Sequence, residues 1–252
     1  MLALVRSIPD SYAQALTAVP ADPPIDVIEA RAQHAAYAVA LAGLGVEVIT
    51  LAADEAHPDC VFVEDAAVVA GEVAVITRPG APSRQGEVDA VAAALAGRIE
   101  LHRMPAPATL DGGDCLRLGH TIYVGRSART NDVGVSFLRQ ILASRGITVV
   151  SVPLPPEVLH LKCVCARLDD ERVLVADGSL PDDTFGEATV VRIPADESYA
   201  ANVLTIGATA LCADGFPQTR ATLEAAGFRT IPLVTTEARK ADGALTCMSI
   251  LI

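Results

Sequence analysis

The sequence predicts an α/β protein that uses one supersecondary unit several times over. Three observations carry this reading. β-rich runs come in close pairs split by turn residues; each pair is followed by a helical segment ending at glycine or by a loop; a further β-rich run closes the unit. The order hairpin, helix, strand returns every roughly 40–50 residues, a period that points to a propeller or solenoid. Five such units fill the 252 residues, the chain ends sharing one of them. The units have no sequence identity, so an ordinary mixed α/β sheet remains the alternative that pattern leaves open.

The elements follow in order. Residues 30–43 form an amphipathic helix stopped by Gly43 and Gly45, and 46–51 a strand. Residues 66–70 and 73–77 flank Gly71 and Glu72 as a hairpin; 83–96 is helical up to Gly97, and 99–103 is a strand. Residues 114–118 and 121–124 make a second hairpin, 131–144 a helix capped by Asn131 and ended by Gly146, and 147–152 a strand. A third hairpin pairs 161–168 with 172–176; the Pro- and Asp-rich stretch after it leaves a short helix or none before the strand 189–193. A fourth hairpin pairs 203–206 with 208–212, followed by a helix over 219–226 and a strand over 229–234. The final run, 244–252, needs a strand partner, which residues 2–5 supply.

Composition narrows the function. There are 19 Lys+Arg against 31 Asp+Glu, a net charge of −12. That balance argues against a nucleic-acid partner, because phosphate binding needs clustered cations, and against docking on an anionic membrane. Apolar residues make up 51% and charged residues 20%, which excludes disorder. No signal peptide is visible at the N-terminus, and the longest apolar run is too short to span a bilayer. Six scattered cysteines without a CxxC pair do not form a secreted disulfide framework, so a cytoplasmic protein with reduced thiols is the expectation.

Four segments have the residue types for chemistry. Residues 58–65 (PDCVFVED) set three acids around a short apolar run: a solvated strand end, or a carboxylate cluster for a cation. Adjacent Glu64 and Asp65 would reach one ligand only at a bend, since neighbours on a strand face opposite ways. In 109–114 (TLDGGD) the glycines allow a tight turn and a close approach, and Asp111 or Asp114 is a candidate orienter of a histidine. His160 lies in an apolar run at the start of a strand, whereas His34 sits in a helix, His57 and His102 in polar contexts and His120 in a turn. Cys247 follows a glycine turn near the chain end; a thiol paired with a distant histidine is a nucleophile hypothesis, while burial in the core is the default for the others. There is no HExxH, Walker A loop, GxGxxG or zinc-knuckle spacing, so no metal or cofactor is expected.

Seven segments together, PDCVFVEDAAVV, ITRPGAPSR, TLDGGD, VGRSARTN, LHLK, ESYAAN and DGALTCMSILI, resemble in order and spacing the dimethylarginine dimethylaminohydrolase family of the guanidine-modifying (pentein) superfamily. The resemblance spans nearly the whole chain. It implies a five-bladed α/β propeller of ββαβ units, with residues 1–252 as a single catalytic domain. It also implies hydrolysis of dimethylarginine and monomethylarginine to citrulline and an alkylamine, without a cofactor. By the same resemblance Cys247 is the nucleophile, His160 the general acid and base, and Asp111 its orienter. Asp59, Glu64 and Asp65 receive the guanidinium, Arg84 and Arg129 the carboxylate, Leu16 belongs to a lid, and the Ala241 carbonyl takes the ammonium. Cys115, Cys163 and Cys165 are expected as core thiols. The implied partner is a small-molecule substrate, with the chain a monomer or homodimer. An arginine deiminase with the same constellation, or a non-catalytic pentein that binds its ligand, are the competing readings; the presence of Cys247 and His160 weighs against the second.

Overall fold

The computed structural model describes residues 1–252. The predicted unit occurs five times, as five three-stranded sheets. In the first, β1 (Leu2–Arg6) runs parallel to β2 (Glu47–Leu51), and α1 (Val27–Gly43) makes the crossover between them. The next three units are β3 (Ala67–Ala70), β4 (Val73–Ile76), α2 (Val88–Leu95) and β5 (Glu100–Arg103); β6 (Cys115–Leu118), β7 (Thr121–Arg126), α3 (Asp132–Ala143) and β8 (Thr148–Pro153); and β9 (Cys165–Arg167), β10 (Arg172–Ala176) and β11 (Thr189–Ile193), which lacks an α-helix as the Pro- and Asp-rich stretch implied. The fifth is β12 (Leu204–Ile206), β13 (Thr209–Ala213), α4 (Pro217–Ala225) and β14 (Arg229–Leu233). After the short α5 (Thr236–Lys240), β15 (Ile250–Leu251) returns to pair antiparallel with β1, as the sequence required.

In every sheet the middle strand pairs antiparallel with the inner strand and parallel with the strand after the crossover. Middle strands such as β4 and β13 are buried along their whole length, which is why they read as continuous apolar runs. Five apolar cores hold the ring together, each drawn from two neighbouring sheets: Leu4 and Ile250 pack with Ala74 and Ile76, Val73 and Val75 with Ile122 and Val124, and so on around to Ala3 and Val5 with Leu211. This is the five-bladed α/β propeller. The inner strands β15, β3, β6, β9 and β12 line a central cavity of about 410 Å³.

Helix ends follow local chemistry. Asp26 accepts the N–H groups of Ile28 and Glu29 at the start of α1, and Asn131 accepts that of Gly134 at the start of α3. Such caps are worth about 1 kcal/mol each. Three expectations are corrected. The run 83–96 divides into a 3-10 turn, Pro82–Arg84, and α2, because Arg84 turns inward to a buried carboxylate. The strand expected over 161–168 starts as the 3-10 turn Leu161–Cys163 and is extended only over β9. Of the run 244–252 only β15 is strand; Thr246–Met248 is a 3-10 turn, whose Thr246 N–H bonds the Asn202 side chain instead of a ladder partner.

These turns belong to a pattern. A 3-10 segment leads into each inner strand: Val63–Ala66, Gly112–Asp114, Leu161–Cys163, Ala195–Ala201 and Thr246–Met248. All five gather at one end of the propeller, where residues far apart in sequence become neighbours.

Candidate active site

At that end lies a cavity of about 580 Å³. Cys247, His160, Asp59, Asp65, Arg84, Arg129, Leu16 and Ala241 line it. Asp65, His160 and Cys247 come from the turns before inner strands; Leu16, Arg84 and Arg129 come from the loops that leave the middle strands β1, β4 and β7 at the same end.

His160 and Asp111 form a buried pair, with Nε2 3.0 Å from Asp111 Oδ2. The other carboxylate oxygen, Oδ1, accepts the Gly80 N–H at 2.8 Å, so Asp111 cannot swing away. Gly80 is required there: a Cβ would stand 2.3 Å from the Arg129 carbonyl oxygen. Asp114, the other candidate orienter, does not touch the ring. It accepts the Leu161 N–H and the hydroxyls of Ser127 and Thr130, and so fixes the backbone beside His160. Burial opposes a charged imidazole, but the Asp65 carboxylate, the Asp111 hydrogen bond and the Asp114 and Asp111 charges outweigh it and push His160 up to about 9. The imidazolium is therefore the resting form at neutral pH.

Asp65 is fully enclosed. Burial alone would raise its pKa, but His160 and Arg84, with the Arg84 and Gly113 hydrogen bonds, hold it below the usual carboxylate range. Arg84 donates to Asp65 Oδ2 at 2.6 Å and Gly113 N–H donates to Oδ1 at 2.8 Å. Behind it, Arg84 also donates to both oxygens of Glu87 and to the carbonyls of Asp59 and Phe62. Arg84 thus lies in the cavity wall as expected, but its guanidinium is occupied by Asp65 and Glu87. Burying an arginine at 5% exposure demands such partners.

Glu64 departs from its expected place in this cavity. It faces away from this cavity and lines the central one, where Lys162 and the Thr246 hydroxyl donate to its two oxygens. The 3-10 turn splits the adjacent acids, one to each side. Glu64 instead anchors Thr246, the neighbour of Cys247. Thr246 is also held by Asn202, whose Oδ1 accepts its N–H at 2.9 Å and whose Nδ2 donates to its Oγ1 at 3.0 Å and to the Lys162 carbonyl at 2.9 Å. Cys247 and His160 are thereby tied to one frame. The Cys247 thiol is pushed well above its ordinary pKa by burial and by the Glu64, Asp65 and Cys163 charges, so it rests as the thiol.

The rim carries the remaining groups. Asp59 accepts the Leu16 N–H at 3.0 Å and Asp242 accepts the Ala18 N–H at 2.6 Å, so two carboxylates clasp the 16–18 segment over the cavity. Burial raises the Asp59 pKa against the pull of Arg84. Tyr199 donates to the Thr235 hydroxyl at 3.0 Å and the Gly243 carbonyl at 3.1 Å, bracing the segment that presents Ala241.

The sequence did not single out Arg239, Tyr199, Asp242 or Asn202. Tyr199 and Asn202 lie in the matched ESYAAN segment, and Asp242 opens the matched DGALTCMSILI segment, which were signals of place but not of role; Arg239 sits on a short helix with no motif. Cys163 was expected in the core, yet it lines the same cavity as His160 and Cys247, because its turn precedes the strand. All six cysteines are free. Ligand atoms of Asp65, Asp111 and His160 lie within 4.8 Å of one another, a spacing compatible with a metal ion. With His160 pushed up to about 9, the imidazolium has no lone pair for a metal ion, and the trio reads as a proton-handling cluster.

Gly113 tests this geometry. A Cβ there would lie 2.6 Å from His160 Nδ1 and 2.9 Å from Asp65 Oδ1. Gly113→Ala is expected to lower kcat about 10²-fold by displacing the ring, the cost of a misplacement near 1 Å. Steady-state kinetics would check it; an unchanged kcat means that the His160–Asp65 placement is not critical.

Comparison with known proteins shows the family. A family model described as N,N dimethylarginine dimethylhydrolase, eukaryotic, matches residues 21–248. The N(G),N(G)-dimethylarginine dimethylaminohydrolase of Pseudomonas aeruginosa is 38% identical over 229 residues, 89% of each chain. That of Streptomyces coelicolor is 39% identical over 221 residues, 86% of this chain and 84% of its own. A solved structure of the Pseudomonas aeruginosa enzyme, a cysteine-to-serine variant complexed with citrulline, superposes with a TM-score of 0.94 at 35% identity, covering 98% of this chain and 97% of its own. By the family model and these relatives, the chain belongs to the dimethylarginine dimethylaminohydrolase family.

Proposed function

We propose that this chain, as one catalytic domain, hydrolyses N(ω),N(ω)-dimethylarginine and monomethylarginine to citrulline and dimethylamine or methylamine. The single observation that carries the reading is the enclosed set of Asp65, His160–Asp111 and Cys247 in one cavity of a chain belonging to this family.

A guanidinium carbon is a poor electrophile, since three nitrogens share its charge. Asp65 offers a permanently charged, rigid acceptor for the planar cation and fixes its face towards Cys247. The isolated thiol resists ionisation because it is buried and faces the Glu64 and Asp65 charges; an arriving cation reverses the local sign and favours the thiolate, the thiol proton leaving to solvent. The Sγ lone pair then forms a C–S bond. The bond from that carbon to the dimethylamino nitrogen breaks as His160, an imidazolium at rest, supplies the proton the leaving amine needs. A thiouronium remains on Cys247. His160, now neutral, takes one proton from water as its oxygen bonds the same carbon; the C–S bond then breaks with its electrons on sulfur, and the second proton of that water passes to the thiolate, leaving citrulline and the resting thiol. Asp111 holds the ring through one nitrogen, leaving the other for both transfers. Asp59 joins Asp65 at the guanidinium, Arg129 and the Ala241 carbonyl meet the amino-acid end, and the clasped 16–18 segment excludes water.

No helix is long and apolar enough to cross a membrane. Free cysteines throughout fit a reducing, cytoplasmic setting and a small-molecule partner, with the protein a monomer or homodimer.

The test is citrulline formation from dimethylarginine, monomethylarginine and arginine under the same conditions. The two methylated substrates are expected to be turned over at least roughly tenfold better in kcat/KM than arginine, the scale on which one pocket discriminates small apolar groups. Hydrolysis of arginine alone would make the protein a deiminase and refute the reading.

A further inference from the structure

Three of the 3-10 turns are two-sided. Val63–Ala66 sends Asp65 to the catalytic cavity and Glu64 to the central one; Leu161–Cys163 sends Cys163 to the first, beside His160, and Lys162 to the second; Thr246–Met248 sends Cys247 to the first and Thr246 to the second. The three residues on the central side are bonded in a row, Lys162 Nζ and the Thr246 hydroxyl each donating to one oxygen of Glu64. Asn202 closes the row, its Nδ2 donating to the Lys162 carbonyl and to Thr246 Oγ1.

Stability does not call for charges at this place. The Lys162 and Glu64 side chains are each 13% exposed, and apolar side chains of the same volume often match or better a buried ion pair. What apolar side chains cannot do is fix the direction of hydrogen bonds. Burial raises the Glu64 pKa, and Lys162 is the largest pull against it. Asp65, Cys115, Cys247 and Tyr37 also face Glu64, and none of them is a cation. As an anion Glu64 only accepts, so the Thr246 hydroxyl turns its proton to Glu64 and a lone pair to Asn202. A protonated Glu64 donates as well, and competes with Asn202 for Thr246. The sulfur feels the same pair: the Glu64 charge opposes ionisation of Cys247, and the Lys162 ammonium, which also faces Cys247, offsets it.

We propose that Lys162 is a positioning residue for the reaction, which acts from the central cavity: it keeps Glu64 an acceptor, fixes the sense of the bonds through Thr246 and Asn202, and so holds Cys247 in register with His160 and Asp65. The proposal rests on the cysteine chemistry of the preceding reading.

The experiment compares Lys162→Met, Lys162→Gln and Lys162→Arg with the wild type. The glutamine amide still donates to Glu64, so that variant keeps the turns joined without the charge and takes the place of methionine if the latter does not fold. In both neutral variants kcat for dimethylarginine should fall roughly 10- to 100-fold, the cost of a slight misplacement from behind the site. KM should stay nearly unchanged, because Lys162 does not line the catalytic cavity. The acid limb of kcat should move to higher pH, as Glu64 loses the ammonium that opposes its protonation. Arginine keeps the charge and should restore both. Alkylation of Cys247 by iodoacetamide at alkaline pH, read by peptide mass spectrometry, needs no substrate; it should slow in the neutral variants and not in the arginine one. A neutral variant with an unmoved acid limb and an unchanged alkylation rate overturns the proposal, whatever its kcat, and leaves the pair a structural plug between the cavities. A wild type that turns over no guanidino compound, while the alkylation rates differ as expected, overturns the reaction and not the role of Lys162.

Discussion

Cys247→Ser is expected to reduce citrulline formation at least about 10⁴-fold, the order of loss seen when a covalent nucleophile is removed. A serine hydroxyl in this site is far harder to ionise than a thiol, and the charges that already burden Cys247 would burden an alkoxide more. Arrival of the substrate cation can rescue a thiol but not a hydroxyl. Acid-quenched wild-type reactions analysed by mass spectrometry should carry the thiouronium adduct on Cys247, and the serine variant should carry none. Dimethylamine release at the wild-type rate by the variant would overturn the covalent mechanism. The fold should be indifferent to the change, because Thr246 and its partners Asn202 and Glu64 hold the turn.

His160→Asn is expected to cost about 10²- to 10⁴-fold in kcat, the usual worth of a positioned acid and base. The pH dependence gives the sharper check. His160 is raised from an ordinary value of 6.5 to about 9, so the acid form persists across neutral pH and the wild-type kcat/KM should fall as pH rises through about 9. Asp111→Asn removes a charge and a hydrogen-bond acceptor that both raise His160, so its alkaline limb should move to lower pH. An unmoved limb would mean that another group sets it. The same shift links to stability. A group whose folded pKa is raised contributes stability that is complete below its unfolded value and disappears above its folded one. The wild type should therefore lose stability between about pH 6.5 and 9 relative to His160→Asn, as read by denaturant unfolding at the two ends.

Much of this architecture was legible from the chain. The hairpin, helix, strand repeat, the cap at Asn131, the missing fourth-unit helix and the closure of β1 with β15 all follow from patterns a few residues long. The resemblance then brought Cys247, His160, Asp111, Asp59, Asp65, Arg129 and Ala241 to one place, and the structure puts all but Asp111 in the wall of one cavity, with Asp111 directly behind His160. The length of the strands at 161–168 and 244–252 was overestimated because apolar alternation marks where a strand is possible. It does not mark where a turn is needed to present His160 or Cys247.

The charged residues divide differently. Adjacent acids Glu64 and Asp65 looked alike in sequence, yet Asp65 faces the cavity of His160 and Cys247 and Glu64 belongs to the frame beneath Cys247. Arg84 is bonded by acids on both sides, Asp65 and Glu87, a pairing that no local pattern announced. The physical reason is range. Backbone periodicity, caps and turns are decided by residues within about four positions and so are written locally. The partner of a buried charge is whichever group the fold delivers within about 3 Å, here Lys162 and Thr246 for Glu64, 98 and 182 residues away. By itself the sequence determined the repeat, its order and the reactive residue types; only the closed ring decided which charges neutralise one another and which are left to meet a substrate.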